Sequence, residues 1–174
     1  LSLTSTGGVA VAWAEQLLDG TQRIMVRRWS GTAWENAGLT EGPPAATFAS
    51  EPRLVLTGTL QLPVLTVAWR ADTGMKVATL NGMNWTVQAD PFPALANPVT
   101  FDLGTSYSDG IIAAAQTASG GTFQVRKLDQ GAWLNLGPAR GTAGPGPGGL
   151  NVTLSHAFNE DPLIAWTKRT AGVD

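Results

Sequence analysis

At 174 residues and 43% hydrophobic, the chain is long enough to bury a sizeable core and too apolar for an intrinsically disordered one. A net charge of −2, with basic residues clustered no further than pairs such as Arg27-Arg28, excludes a nucleic-acid footprint, which needs several Lys or Arg on one face. Cysteine is absent, which excludes disulfides and thiolate metal sites, and no apolar run approaches the ~18 residues of a spanning helix.

In chain order, Leu1 and Leu3 alternate as in a half-buried strand, and after a glycine turn Val9 to Trp13 is almost wholly apolar. Such a run predicts a strand buried on both faces. Ile24 and Val26 alternate in a third strand, and Ser30-Gly31 marks a hairpin into a fourth strand carrying Trp34. The same succession returns twice. Leu54/Leu56, Val64 to Trp69, Val77/Thr79, Asn81-Gly82 and Trp85 form the second set. Phe101/Leu103, Ile111 to Ala115, Phe123/Val125, Gln130-Gly131 and Trp133 form the third. A fourth begins with Val152/Leu154 and Leu163 to Trp166. The connectors GLTEGPPAATFASEP, PFPALAN and GPARGTAGPGPGG have no helical period, and their prolines oppose helix.

Trp34, Trp85 and Trp133 lie 51 and 48 residues apart. Trp13, Trp69 and Trp166 each close an Ala-Trp pair on the second strand, a place that Gln116 takes in the third repeat. A period of about 50 residues with four short strands is the size of a β-propeller blade. The expected fold is therefore all-β, a partial propeller of about three and a half four-stranded blades in one domain, residues 1–174. The repeats run 1–48, 49–96, 97–148 and 149–174, the last a half blade. Because propellers close with about 4–8 blades, the ring is expected to be completed by another copy, another chain or sequence beyond this one. The start at Leu1, without an initiator Met or leader, reads as a processed chain or an excised piece.

The segments Arg28-Trp29-Ser30-Gly31-Thr32-Ala33-Trp34, Leu80-Asn81-Gly82-Met83-Asn84-Trp85 and Leu128-Asp129-Gln130-Gly131-Ala132-Trp133 resemble the W-G-x-x-W repeats of bacterial surface β-propellers and of propeller lectins such as the fucose-binding family. The resemblance spans nearly the whole chain. It implies a propeller and leaves protein interaction and sugar binding both open.

Residues with chemistry are sparse. His156 is the only histidine, and Glu160 with Asp161 could at most assist a hard cation. No G-x-S-x-G elbow accompanies it. Ser106-Tyr107-Ser108-Asp109-Gly110 approaches the sialidase box but lacks its Thr and Trp. Most of the acids sit in turns beside glycine, where carboxylates stabilise backbone. The expectation is no catalytic residue, no metal and no cofactor.

The seven tryptophans against one tyrosine are the best ligand candidates, since an exposed indole stacks on a sugar face or anchors a protein partner. Trp34, Trp85 and Trp133, at hairpin ends nearer solvent, are the expected ligand-binding residues. Trp13, Trp69 and Trp166 are expected in the core. Trp29, which has leucine at the matching places 80 and 128, is expected to pack likewise. The functional expectation is a non-catalytic module of the bacterial cell envelope or exterior, mediating protein interaction or assembly. A carbohydrate-binding lectin and a fragment of a propeller glycosidase are the alternatives. The expected partners are a second copy or another chain completing the ring, with glycans next; nucleic acid and a membrane span are not expected.

Overall fold

The computed structural model describes residues 2–3, 9–44, 48–58, 63–93, 100–106, 110–116, 123–136, 152–156 and 162–166. Every regular element among them is a strand, every pairing is antiparallel, and no helix is long and apolar enough to cross a membrane. The expectation of an all-β chain holds. The chain divides into two compact units, Leu1–Asp90 and Pro91–Asp174.

The first unit holds two four-stranded meanders. Sheet one is β1 (Ser2–Leu3), β2 (Val9–Gln16), β3 (Gln22–Trp29) and β4 (Trp34–Asn36). Sheet two is β5 (Ala49–Gly58), β6 (Pro63–Ala71), β7 (Gly74–Asn81) and β8 (Asn84–Val87). Strand alternation decides which side chains meet. The register Ala12↔Val26 and Ala14↔Ile24 puts small and branched side chains on one face of sheet one. In sheet two, Leu54↔Val67, Val67↔Ala78 and Leu80↔Trp85 place Leu65, Val67, Trp69, Ala78, Leu80 and Trp85 on one face. These two faces form a single apolar core with Ala10, Ala37 and Ala49. Small residues on one side and large ones on the other let the sheets interdigitate at interior density.

Sequence separates the inner strands from the outer ones. Leu65 to Trp69 in β6 are all buried, as an apolar run demands, whereas β4 is exposed throughout. The hydroxyls of Thr66 and Thr79, 3.2 Å apart across β6 and β7, satisfy each other inside. At the β2–β3 turn, Thr21 donates its backbone N–H and hydroxyl to Asp19 Oδ1 at 2.9 and 2.6 Å, which holds the Asp19 carboxyl below its usual range. That restraint operates above the ordinary carboxylate pKa and is lost as pH falls through the lowered value.

The second unit holds β9 (Thr100–Thr105), β10 (Ile111–Gln116), β11 (Phe123–Asp129) and β12 (Ala132–Asn135) as a third four-stranded meander. Beside it is a two-stranded pair, β13 (Val152–His156) and β14 (Pro162–Trp166). All six residues of β10 are buried. One assignment changes. Trp13 faces Met25 and Trp69 faces Lys76, and the matching register in the third sheet is Ala115 opposite Gln124. Ala115, and not Gln116, occupies the tryptophan's register position.

The outer hairpins repeat closely. Trp29↔Trp34, Leu80↔Trp85 and Leu128↔Trp133 are cross-strand pairs in the three sheets. In each, the residue three beyond the tryptophan donates its N–H to the same strand position: Ala37 to Val26, Gln88 to Val77 and Leu136 to Val125. Gly31 and Gly82 have positive φ at the first central turn position, whereas in the third hairpin Gln130 (φ 48°) and Gly131 (φ 83°) are both left-handed, a type I′ turn. Asparagine tolerates that conformation better than glutamine, so Gln130→Asn should stabilise by about 0.5 kcal/mol. Urea denaturation measures it; a lowered midpoint would count against this turn assignment.

Candidate functional site

The connector after β4 is the element that gives the outer hairpins different surroundings. It stays on sheet one through the Ala37 bond at 3.3 Å and through Val26 N–H donating to the Glu41 carbonyl at 2.8 Å. Between those bonds it bulges outward and reaches sheet two, where Leu39 N–H donates to the Met83 carbonyl at 2.8 Å. Two glycines make this path possible. A Cβ on Gly42 would fall onto the carbonyl oxygen of Ile24, and one on Gly38 would lie 2.9 Å from Leu80 Cδ1 and 3.0 Å from the Met83 oxygen. The connector therefore lies as a strap over the Leu80–Trp85 pair.

The consequence shows in burial. Leu80 is 4% exposed and Trp85 is half-buried, its indole nitrogen enclosed and without a hydrogen-bond partner among the described residues. In sheet one the same pair is bare: Trp29 is 41% exposed and Trp34 43%. Their rings meet edge to face with centroids 5.6 Å apart, the arrangement that the aromatic quadrupole favours. Trp29, expected to be packed, is thus a surface residue. Leucine stands at the matching place in the other two sheets, and in sheet two the strap lies over it. In the second unit Pro91 and Phe92 are buried, and the Arg126 guanidinium stands 5.8 Å over the Phe92 ring.

Trp34, Trp85 and Trp133 therefore occupy one register position on three sheets. Trp34 projects on the Trp13–Met25 face of sheet one, the opposite side from Ile24 and Val26, which pack toward Trp85. The structure does not bring these two together. Trp133 is half-buried on the third sheet. Of the expected core residues, Trp69 is buried, and Trp13 is half-buried with its indole N–H donated to Glu15 at 3.2 Å. The Trp166 and His156 side chains, and residues 160–161, lie outside the described residues.

A cleft of about 230 Å³ opens where the strap meets the β7–β8 hairpin, lined by Arg23, Thr40, Pro43, Met83, Asn84 and Trp85 among others. Arg23 lies 3.8 Å from Glu41, both partly exposed. No group of three or more His, Cys, Asp or Glu stands together among the described residues. At the two described ends of the stretch resembling a sialidase box, Ser106 N–H donates to the Gly110 carbonyl at 2.7 Å and Gly110 N–H to Ser106 Oγ at 3.0 Å. No family model, curated protein or solved structure matches the chain.

Proposed function

We propose that the chain is a non-catalytic β-propeller module of the bacterial cell envelope or exterior, and that its sheets are blades serving protein interaction or assembly. The supporting observation is the bare Trp29–Trp34 pair. It occupies a position that in sheet two is covered by a strap, and among the described residues both of its indoles stand exposed. Two large aromatic side chains kept partly in water at one spot are what an interaction anchor requires. Light scattering at micromolar concentration should give a stable complex heavier than the 18.1 kDa chain, and electron micrographs of it should show a closed ring. A compact monomer with no ring-shaped particle would end this reading.

The cleft favours a second reading, carbohydrate binding. Arg23, Asn84 and Thr40 supply polar groups and Trp85 an indole edge, within a space suited to a small polar ring. On a glycan array, binding that Trp85→Ala abolishes and Trp34→Ala leaves intact would favour the lectin. A blank array would remove it.

A further inference from the structure

Resting on the carbohydrate reading of the cleft, we propose that its ligand is an acidic sugar, a uronate whose carboxylate is taken by the Arg23 guanidinium.

Arg23 is the one charged side chain among the described residues that line the cleft of about 230 Å³. A guanidinium presents a planar fork of N–H donors that matches a carboxylate with two parallel hydrogen bonds. The chain's own neighbouring carboxylates leave that fork open. Glu41 stands 3.8 Å away, beyond hydrogen-bonding reach. Asp19 accepts both the N–H and the hydroxyl of Thr21. Glu15, opposite Arg23 in the β2–β3 register, accepts the indole N–H of Trp13. Arg23 is also partly exposed, so a ligand entering from water can reach it.

The rest of the lining suits a hydroxylated ring. Thr40 Oγ1 donates to the Gly42 carbonyl at 2.7 Å, which commits its proton and leaves its oxygen to accept from a ring hydroxyl. Asn84, exposed at the start of β8, offers amide donors and a carbonyl. Trp85 contributes surface and no donor, since its indole nitrogen is enclosed. Leu39 and Met83, 70% and 48% exposed, keep apolar side chains in water that the C–H face of a pyranose would cover. The wall is set in advance, because Pro43 is buried with a fixed φ and Gly42 is pressed against Ile24 of β3. A neutral hexose would leave the cation without an anion. A bare carboxylate would leave Thr40, Asn84 and the apolar rim unused. A uronate meets both sets of groups.

NMR titration of the full chain with methyl glucuronoside, methyl galacturonoside, methyl glucoside and acetate tests this. One of the two uronides should bind at least about ten-fold more tightly than the glucoside, as a charge-assisted pair provides, and acetate should bind more weakly than that uronide. Arg23→Gln should erase the preference. Glu41→Gln removes the carboxylate that competes for Arg23 and should strengthen uronide binding about two- to fivefold, a gain that a misfolded variant cannot give. Equal binding of uronide and glucoside, both lost in Trp85→Ala, would overturn the acidic ligand and leave the carbohydrate reading standing. A preference that survives Arg23→Gln, or acetate binding as tightly as the uronides, would overturn the inference as well. A cleft that binds none of the sugars would remove both.

Discussion

Replacing Gly42 with valine is expected to destabilise the first unit by about 3 kcal/mol, among the larger effects a single substitution produces. A Cβ there lands on the Ile24 carbonyl oxygen, within bonding range of a backbone atom in the middle of β3. That carbonyl belongs to a paired strand and has nowhere to go. The connector must lift instead, breaking the 2.8 Å bond between Val26 N–H and the Glu41 carbonyl and loosening the seat of Gly38 on Leu80. Thermal and urea unfolding of Gly42→Val and Gly42→Ala would measure the loss. Both should also expose Trp85 to solvent quenchers, because its cover detaches with the strap. Wild-type stability in Gly42→Val would show that the connector does not follow this path.

Trp69→Ala should cost about 4 kcal/mol, within the range for a large aromatic removed from a packed core. Trp69 is 4% exposed and belongs to the face of β6 that meets sheet one. The neighbouring strands are fixed by their ladders and cannot close over the space. Trp34→Ala removes a side chain of the same size and should cost no more than about 1 kcal/mol, mostly the edge-to-face contact with Trp29. The comparison is the informative part. If the two substitutions cost the same, Trp34 is already covered in solution, and the surface assigned to docking is occupied within one chain.

Much of the strand order was legible because alternation and apolar runs report burial directly. Ile24 and Val26 fall in β3, Val64 to Trp69 within β6, and Gly31 and Gly82 at the turns expected of them. The strap was not legible. Residues 37–44 read as a proline- and glycine-rich linker, since composition does not distinguish a loop in water from a backbone pressed onto a neighbouring hairpin. The requirement at Gly42 comes from Ile24, and that at Gly38 from Leu80 and Met83, all distant in sequence. The two glycines four apart after Trp34, Gly38 and Gly42, were the available signal. Trp29 misled for a related reason. A tryptophan matched by leucine in the other repeats reads as packing, yet its exposure depends on whether a strap lies over it, which one repeat cannot reveal about another. The offset between Ala115 and Gln116 was hidden because spacing along a chain does not fix the register of a hairpin.

The strap over the β7–β8 hairpin gives the molecule a polarity. Coverage passes from an earlier sheet to a later one, and the covering piece has a different shape from the piece covered. Such a joint is not its own mate, so two molecules cannot meet through one shared patch. Were copies to join through such a joint, they would either return to their starting point after a whole number of steps or extend without end, and the rotation made at each step would decide which. A small change in the angle at the hairpin would then convert a discrete particle into a fibre.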